Sequence, residues 1–87
     1  MFSTSRIASS SVCIPYFLPV DGPVRLTVFD ANGRSVNRRV YALQSAGIHY
    51  ATWSGRDNAG RPVGSGVYFY RLEAGGKQLT RRMVLVK

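Results

Sequence analysis

Hydrophobic and polar residues alternate along most of this chain. Val24, Leu26 and Val28 fall on one side of a period-2 repeat, and Arg25, Thr27 and Phe29 on the other. That is the signature of a half-buried β-strand. Residues 35–43 repeat it, with Val36 and Val40 on one face and Tyr41 on the other. Arg38 and Arg39 stand in mid-strand, so one points outward and the other snorkels. Residues 48–53 place His49, Ala51 and Trp53 together, and the bulk of Trp53 sets that face inward. Residues 67–73 oppose Tyr68, Tyr70 and Leu72 to Val67, Phe69 and Arg71. Residues 78–86 gather Leu79, Met83 and Leu85 on one face, which Arg81 interrupts, so a bulge is expected near Arg81 and Arg82. Residues 12–18 form a short apolar run containing Pro15, and a proline confines such a run to a sheet edge.

Turn chemistry separates these segments. Pro-Val-Asp-Gly-Pro at 19–23 is a loop signal. Asp-Ala-Asn-Gly at 30–33 and Ala-Gly-Gly-Lys at 74–77 suit tight hairpins. Asp57-Asn-Ala-Gly60 suits a type I turn closed by a left-handed glycine, and Pro62, Gly64, Ser65 and Gly66 carry the chain to the next strand. Turns roughly every 8–12 residues, without a sustained helical period, point to an all-β antiparallel sandwich, with a small barrel as the alternative. The expected core is Val24, Leu26, Val28, Val36, Val40, Ala51, Trp53, Tyr68, Tyr70, Leu72, Met83 and Leu85.

Length and charge narrow the picture. A chain of 87 residues is one domain, here residues 12–87 behind a Ser-rich lead-in at 1–11. A core this small buries only about 60% of the unfolded surface. Twelve Lys and Arg against four Asp and Glu give a net charge of +8. Such an excess favours an anionic partner (nucleic acid, lipopolysaccharide, a membrane surface or an acidic protein), or simply a solvated basic surface. No run approaches the ~18 apolar residues of a transmembrane helix, and the start lacks the apolar stretch of a secretory signal. Cys13 is alone, so it forms no internal disulfide, and its apolar surroundings read it as a small buried hydrophobe.

Candidate chemistry is sparse. Asp57, Asn58 and Gly60 could begin a calcium loop, but a calcium site needs six to eight oxygen ligands and several carboxylates, so turn chemistry is the better reading. His49 has Ser54, Asp57 and Ser65 nearby in sequence, yet it shares a face with Trp53 and reads as a packing residue rather than a catalytic base. Phe69 with Arg71 is the residual candidate for a nucleic-acid stacking surface. No catalytic group, cofactor, metal or specific nucleic-acid partner is expected, and the chain is not expected to be an enzyme.

The stretch W-S-G-R-D-N-A-G-R-P-V-G-S-G-V-Y-F-Y-R-L, residues 53–72, resembles a signature of a bacterial immunoglobulin-like family. Two branches carry it: the type A C-terminal sorting domain of proteins exported by the type IX secretion system, and the immunoglobulin-like domain of the flagellar hook-capping protein. V-R-L-T-V-F-D-A-N-G-R at 24–34 and A-G-I-H at 46–49 are similar to further motifs of both. The resemblance covers residues 15–87 and implies an immunoglobulin-like sandwich of six to seven strands. Its structural signature falls on Asp30, Gly33, Trp53, Gly55, Asp57, Gly60, Gly66, Tyr68 and Tyr70. The ending at 80–87 resembles the basic, then aliphatic, tail of sorting domains. It puts the recognition residues at Arg81, Arg82, Met83, Val84, Leu85, Val86 and Lys87. The opening departs from the sorting pattern, keeping only Leu18-Pro19, and Ser54 stands where Asp is common.

The resemblance implies a non-enzymatic sorting or anchoring module that directs an exported protein through outer-membrane secretion machinery. A structural module of a hook-capping or cell-surface assembly is the first alternative. A basic module binding anionic polymers through Arg38, Arg39, Arg81 and Arg82 is the second. The expected location is secreted or cell-surface, as part of a longer protein whose passenger domain and export signal are missing from this chain. The first and last strands have open edges suited to strand addition by a partner.

Overall fold

The computed structural model describes residues 11–86. Six strands follow in order: β1 Val12–Leu18, β2 Gly22–Asp30, β3 Ser35–Gln44, β4 Gly47–Trp53, β5 Gly66–Ala74 and β6 Lys77–Leu85. They form two antiparallel sheets, β1–β4 and β3–β2–β5–β6, stacked as an immunoglobulin-like sandwich.

The small sheet presents Val12, Ile14, Tyr16 and Leu18 inward, in register with Trp53, Ala51, His49 and Gly47. All four β1 residues are buried, so the run that pattern reading left out of the core supplies about a third of it. Alternation then turns Cys13 outward with Pro15 and Phe17. Cys13 is exposed, which corrects its reading as a buried hydrophobe. Pro15 is tolerated because, among the described residues, β1 pairs on one side only.

The large sheet contributes Val24, Leu26, Val28, Tyr68, Leu72, Met83 and Leu85, all buried as expected. Val36 and Tyr70 pack against the core half-buried. Val40 is a correction: it is 64% exposed. The cause is a one-residue register shift between β2 and β3, which pairs Val28 with Asn37 but Phe29 with Ser35. A single inserted residue reverses the facing of every residue beyond it. Val36 and Tyr41, an odd number of positions apart, therefore both reach the core, and Val40 faces solvent.

The bulge expected near Arg81 and Arg82 is absent. The β5–β6 ladder runs unbroken from Gly66↔Leu85 to Ala74↔Lys77. Arg81 needs no bulge because it lies opposite Tyr70 at the margin of the inner face and is exposed there. Leu79, on the same side, is 43% exposed.

Candidate functional site

Two turns of identical sequence form, Asp-x-x-Gly-Arg, close the ends of β2 and of the signature loop. In the first, Asp30 Oδ1 accepts the N–H groups of Asn32 (3.0 Å) and Arg34 (2.9 Å). The Asp30 carbonyl accepts the Gly33 N–H at 3.0 Å, and Oδ2 faces Arg34 Nε at 3.4 Å. In the second, Asp57 Oδ1 accepts from Ala59 (3.0 Å) and Arg61 (2.9 Å), and its carbonyl accepts from Gly60 (3.0 Å). Gly33 and Gly60 sit at φ 86° and 83°, where a Cβ would be strained. The Arg34 N–H, ahead of the other contacts, holds the Asp30 carboxyl below its usual range. Both carboxylates thus serve their turns, and no group of three or more His, Cys, Asp or Glu side chains is placed to hold a metal among the described residues.

The loop between β4 and β5 is pinned at both ends by core aromatics. Trp53 Nε1 donates to the Arg56 carbonyl at 2.9 Å, and Tyr68 OH donates to the Gly64 carbonyl at 2.7 Å. Within the loop, Arg56 Nη1 donates to the Gly60 carbonyl at 2.9 Å and Val63 N–H to the Gly55 carbonyl at 2.9 Å. Gly55 is buried beneath these contacts.

From there the loop reaches the free edge of β3. Asn58 N–H donates to the Val36 carbonyl at 3.1 Å, and Arg38 N–H donates to Asn58 Oδ1 at 3.0 Å. One asparagine satisfies a donor and an acceptor of the edge, as a strand would. Asn37 Nδ2 adds a bond to the Arg56 carbonyl at 3.0 Å. The signature residues therefore build a clasp across the first half of β3, one means by which sheet edges are blunted. Pattern reading recognised the turn at Asp57 and missed its partners Asn37 and Asn58. A side chain that bonds another strand leaves no periodic trace.

His49 stacks on Tyr16, with ring centroids 5.4 Å apart and planes at 21°. Its Nε2–H donates to the Ser45 carbonyl at 2.7 Å, while Tyr16 OH donates to Gln44 Oε1. Tyr16 thereby ties β1 to the end of β3, and His49 ties β4 to the turn after it. This is the packing role expected of His49.

The four arginines assigned to anionic-polymer binding are divided. Arg38 and Arg82 lie on the outer face of the large sheet, whereas Arg39 pairs with Leu26 and Arg81 with Tyr70 on the inner side. On the outer face Phe69 pairs with Phe29, and the Arg71 guanidinium sits 4.9 Å above the Phe29 ring. Arg71 also faces Glu73 at 4.0 Å, beside the Arg25–Glu73 pair at 3.3 Å.

Of the residues assigned to sorting, Met83 and Leu85 are core, and Arg81, Arg82, Val84 and Val86 are exposed. Lys87 and residues 1–10 of the lead-in lie outside the described residues.

A family model described as the FlgD Ig-like domain matches residues 19–78. The chain belongs to the FlgD Ig-like domain family. A solved structure of FlgD, the flagellar hook-capping protein, from P. aeruginosa shares the fold with a TM-score of 0.65 and 28% identity. That match covers 86% of this chain and 60% of the FlgD chain, so this chain spans less than two thirds of its relative. No curated protein sequence matches. The FlgD Ig-like span takes in β2 to β5 with both Asp-x-x-Gly-Arg turns and the clasp. The family is structural and non-catalytic. Of the two branches that the motifs resemble, both comparisons fall on the hook-capping one.

Proposed function

We propose that this chain is a non-catalytic FlgD-type immunoglobulin-like module that serves as a rigid building block of a larger exported, cell-surface assembly. One observation carries the reading. The residues of the signature stretch are spent on the fold: Trp53 and Tyr68 pin the loop to the core, Asn58 pins it to β3, and Asp57 holds its turn. A domain whose signature builds a clasp rather than a pocket presents surfaces, not chemistry. Of the described residues assigned to sorting, such a role would have to read Arg81, Arg82, Val84 and Val86, because Met83 and Leu85 are held in the core.

The test is a domain exchange. Residues 11–87 replace the Ig-like domain of the P. aeruginosa FlgD in a strain lacking its own copy. Hooks and swimming restored above the deletion strain support the structural role. A chimera that is stable and exported yet leaves cells without hooks overturns it. A parallel fusion of the chain behind an export signal and reporter, in a host with a type IX system, reads out sorting directly.

A further inference from the structure

The two edges of the large sheet are treated differently. The β3 edge is bonded by Asn58 at Val36 and Arg38. Among the described residues β6 pairs with β5 alone, and residues 77–82 are exposed on both faces. Beside them, two clefts of ≈ 400 and ≈ 390 Å³ open between β6 and the β1 side of the sandwich, and Leu79 lines both. The first is floored by Leu18 and Leu72, the second by Ile14 and Tyr70.

We propose that the free edge of β6 receives an extended strand from an acidic partner polypeptide, as a fifth strand of the large sheet. The pattern on β6 specifies the guest. Lys77, Leu79 and Arg81 share the cleft side, in register with Ala74, Leu72 and Tyr70. None of the four ion pairs among the described residues involves Lys77, Arg81 or Arg82. A strand beside them fits when its cleft-side residues run carboxylate, apolar, carboxylate, with backbone bonds supplying affinity and alternate side chains supplying register. A second copy of this chain is disfavoured as the guest, because pairing β6 with itself brings Lys77, Arg81 and Arg82 against like charges. β1 is the poorer acceptor, since Pro15 withholds a donor in mid-strand.

The experiment is a titration of the isotope-labelled chain with a blocked peptide, Thr-Glu-Thr-Leu-Thr-Glu-Thr, monitored by amide shifts and hydrogen exchange. Saturable shifts and slowed exchange concentrated in β6 are the expected result. A peptide with lysine for glutamate is expected to leave the spectrum unchanged. Arg81→Glu should weaken the acidic peptide about tenfold or more. K77E combined with R81E should reverse the preference toward the lysine peptide. The proposal is overturned if the acidic peptide causes no saturable shift, or if a copy N-methylated on its edge-facing amides binds equally well. Shifts confined to the outer face of β1 and β4 also overturn it. So do β6 amides already protected before peptide is added, which would mean the edge is filled by the chain itself or by a second copy.

Discussion

The indole of Trp53 and the phenol of Tyr68 meet edge to face across the sandwich, with centroids 4.9 Å apart and planes at 66°. One residue ends β4 and the other lies near the start of β5, so the contact joins the two sheets at the root of the signature loop. Each ring also donates a hydrogen bond into that loop. Core packing and loop geometry are therefore one unit.

Trp53→Ala removes the largest buried side chain and its bond to Arg56. The expected cost is about 3–5 kcal/mol, enough to unfold a domain of this size. Tyr68→Phe keeps the ring and loses only the bond to Gly64, at about 0.5–1.5 kcal/mol. Urea unfolding monitored by far-UV circular dichroism measures both, since Trp53→Ala removes the one tryptophan of the chain. A cooperative melt near the parent midpoint in Trp53→Ala would refute the core assignment.

Val40 and Ile14 test the register. Ile14→Ala should cost about 2–5 kcal/mol because Ile14 is fully buried. Val40→Thr should change stability by no more than about 0.5 kcal/mol, because Val40 faces solvent. The opposite ranking in the same denaturation assay would place the β2–β3 bulge elsewhere.

Asn58→Ala opens the β3 edge while leaving the Asp57 turn intact. It removes the side-chain acceptor of the Arg38 N–H, at about 0.5–1.5 kcal/mol. Hydrogen exchange at the Arg38 amide should accelerate more than at the amides that β2 and β5 exchange. Unchanged protection at Arg38 would mean that the clasp does not hold in solution.

Stability should fall at both ends of the pH range, for different groups. The Asp30 carboxyl is lowered by the Arg34 N–H, so its contribution is present above its unfolded value near pH 4 and is lost as pH falls through the lower folded value. Asp30→Asn should flatten the acid limb. Burial raises Tyr16, Tyr68 and Tyr70. Their contribution is complete below their unfolded value of about 10 and is lost as pH rises through the higher folded values. Tyr70→Phe should shift the alkaline limb upward. Thermal melts across pH for parent and variants check both limbs, and an alkaline limb unaffected by Tyr70→Phe would exclude that residue.

Sequence alone determined the elements. Period-2 alternation and Asp, Asn and Gly turns placed all six strands to within two residues at each end. The reason is local: side-chain facing and turn conformation depend on near neighbours. The same logic identified Trp53, Tyr68, Leu72 and the β2 valines as core. The tertiary structure decided everything that depends on which strand lies beside which. Val40 was turned out by an extra residue opposite β2, which cannot be seen from within β3. Val12, Ile14, Tyr16 and Leu18 became about a third of the core because β1 lies over the large sheet, although Pro15 marks it as an edge. Alternation splits each adjacent pair, Arg38 with Arg39 and Arg81 with Arg82, between faces, but only strand pairing set Arg39 opposite Leu26 and Arg81 opposite Tyr70 on the inner side. Asn58 came to close one sheet edge, and the edge of β6 was left open, because long-range docking rather than local pattern determines where free backbone groups are met.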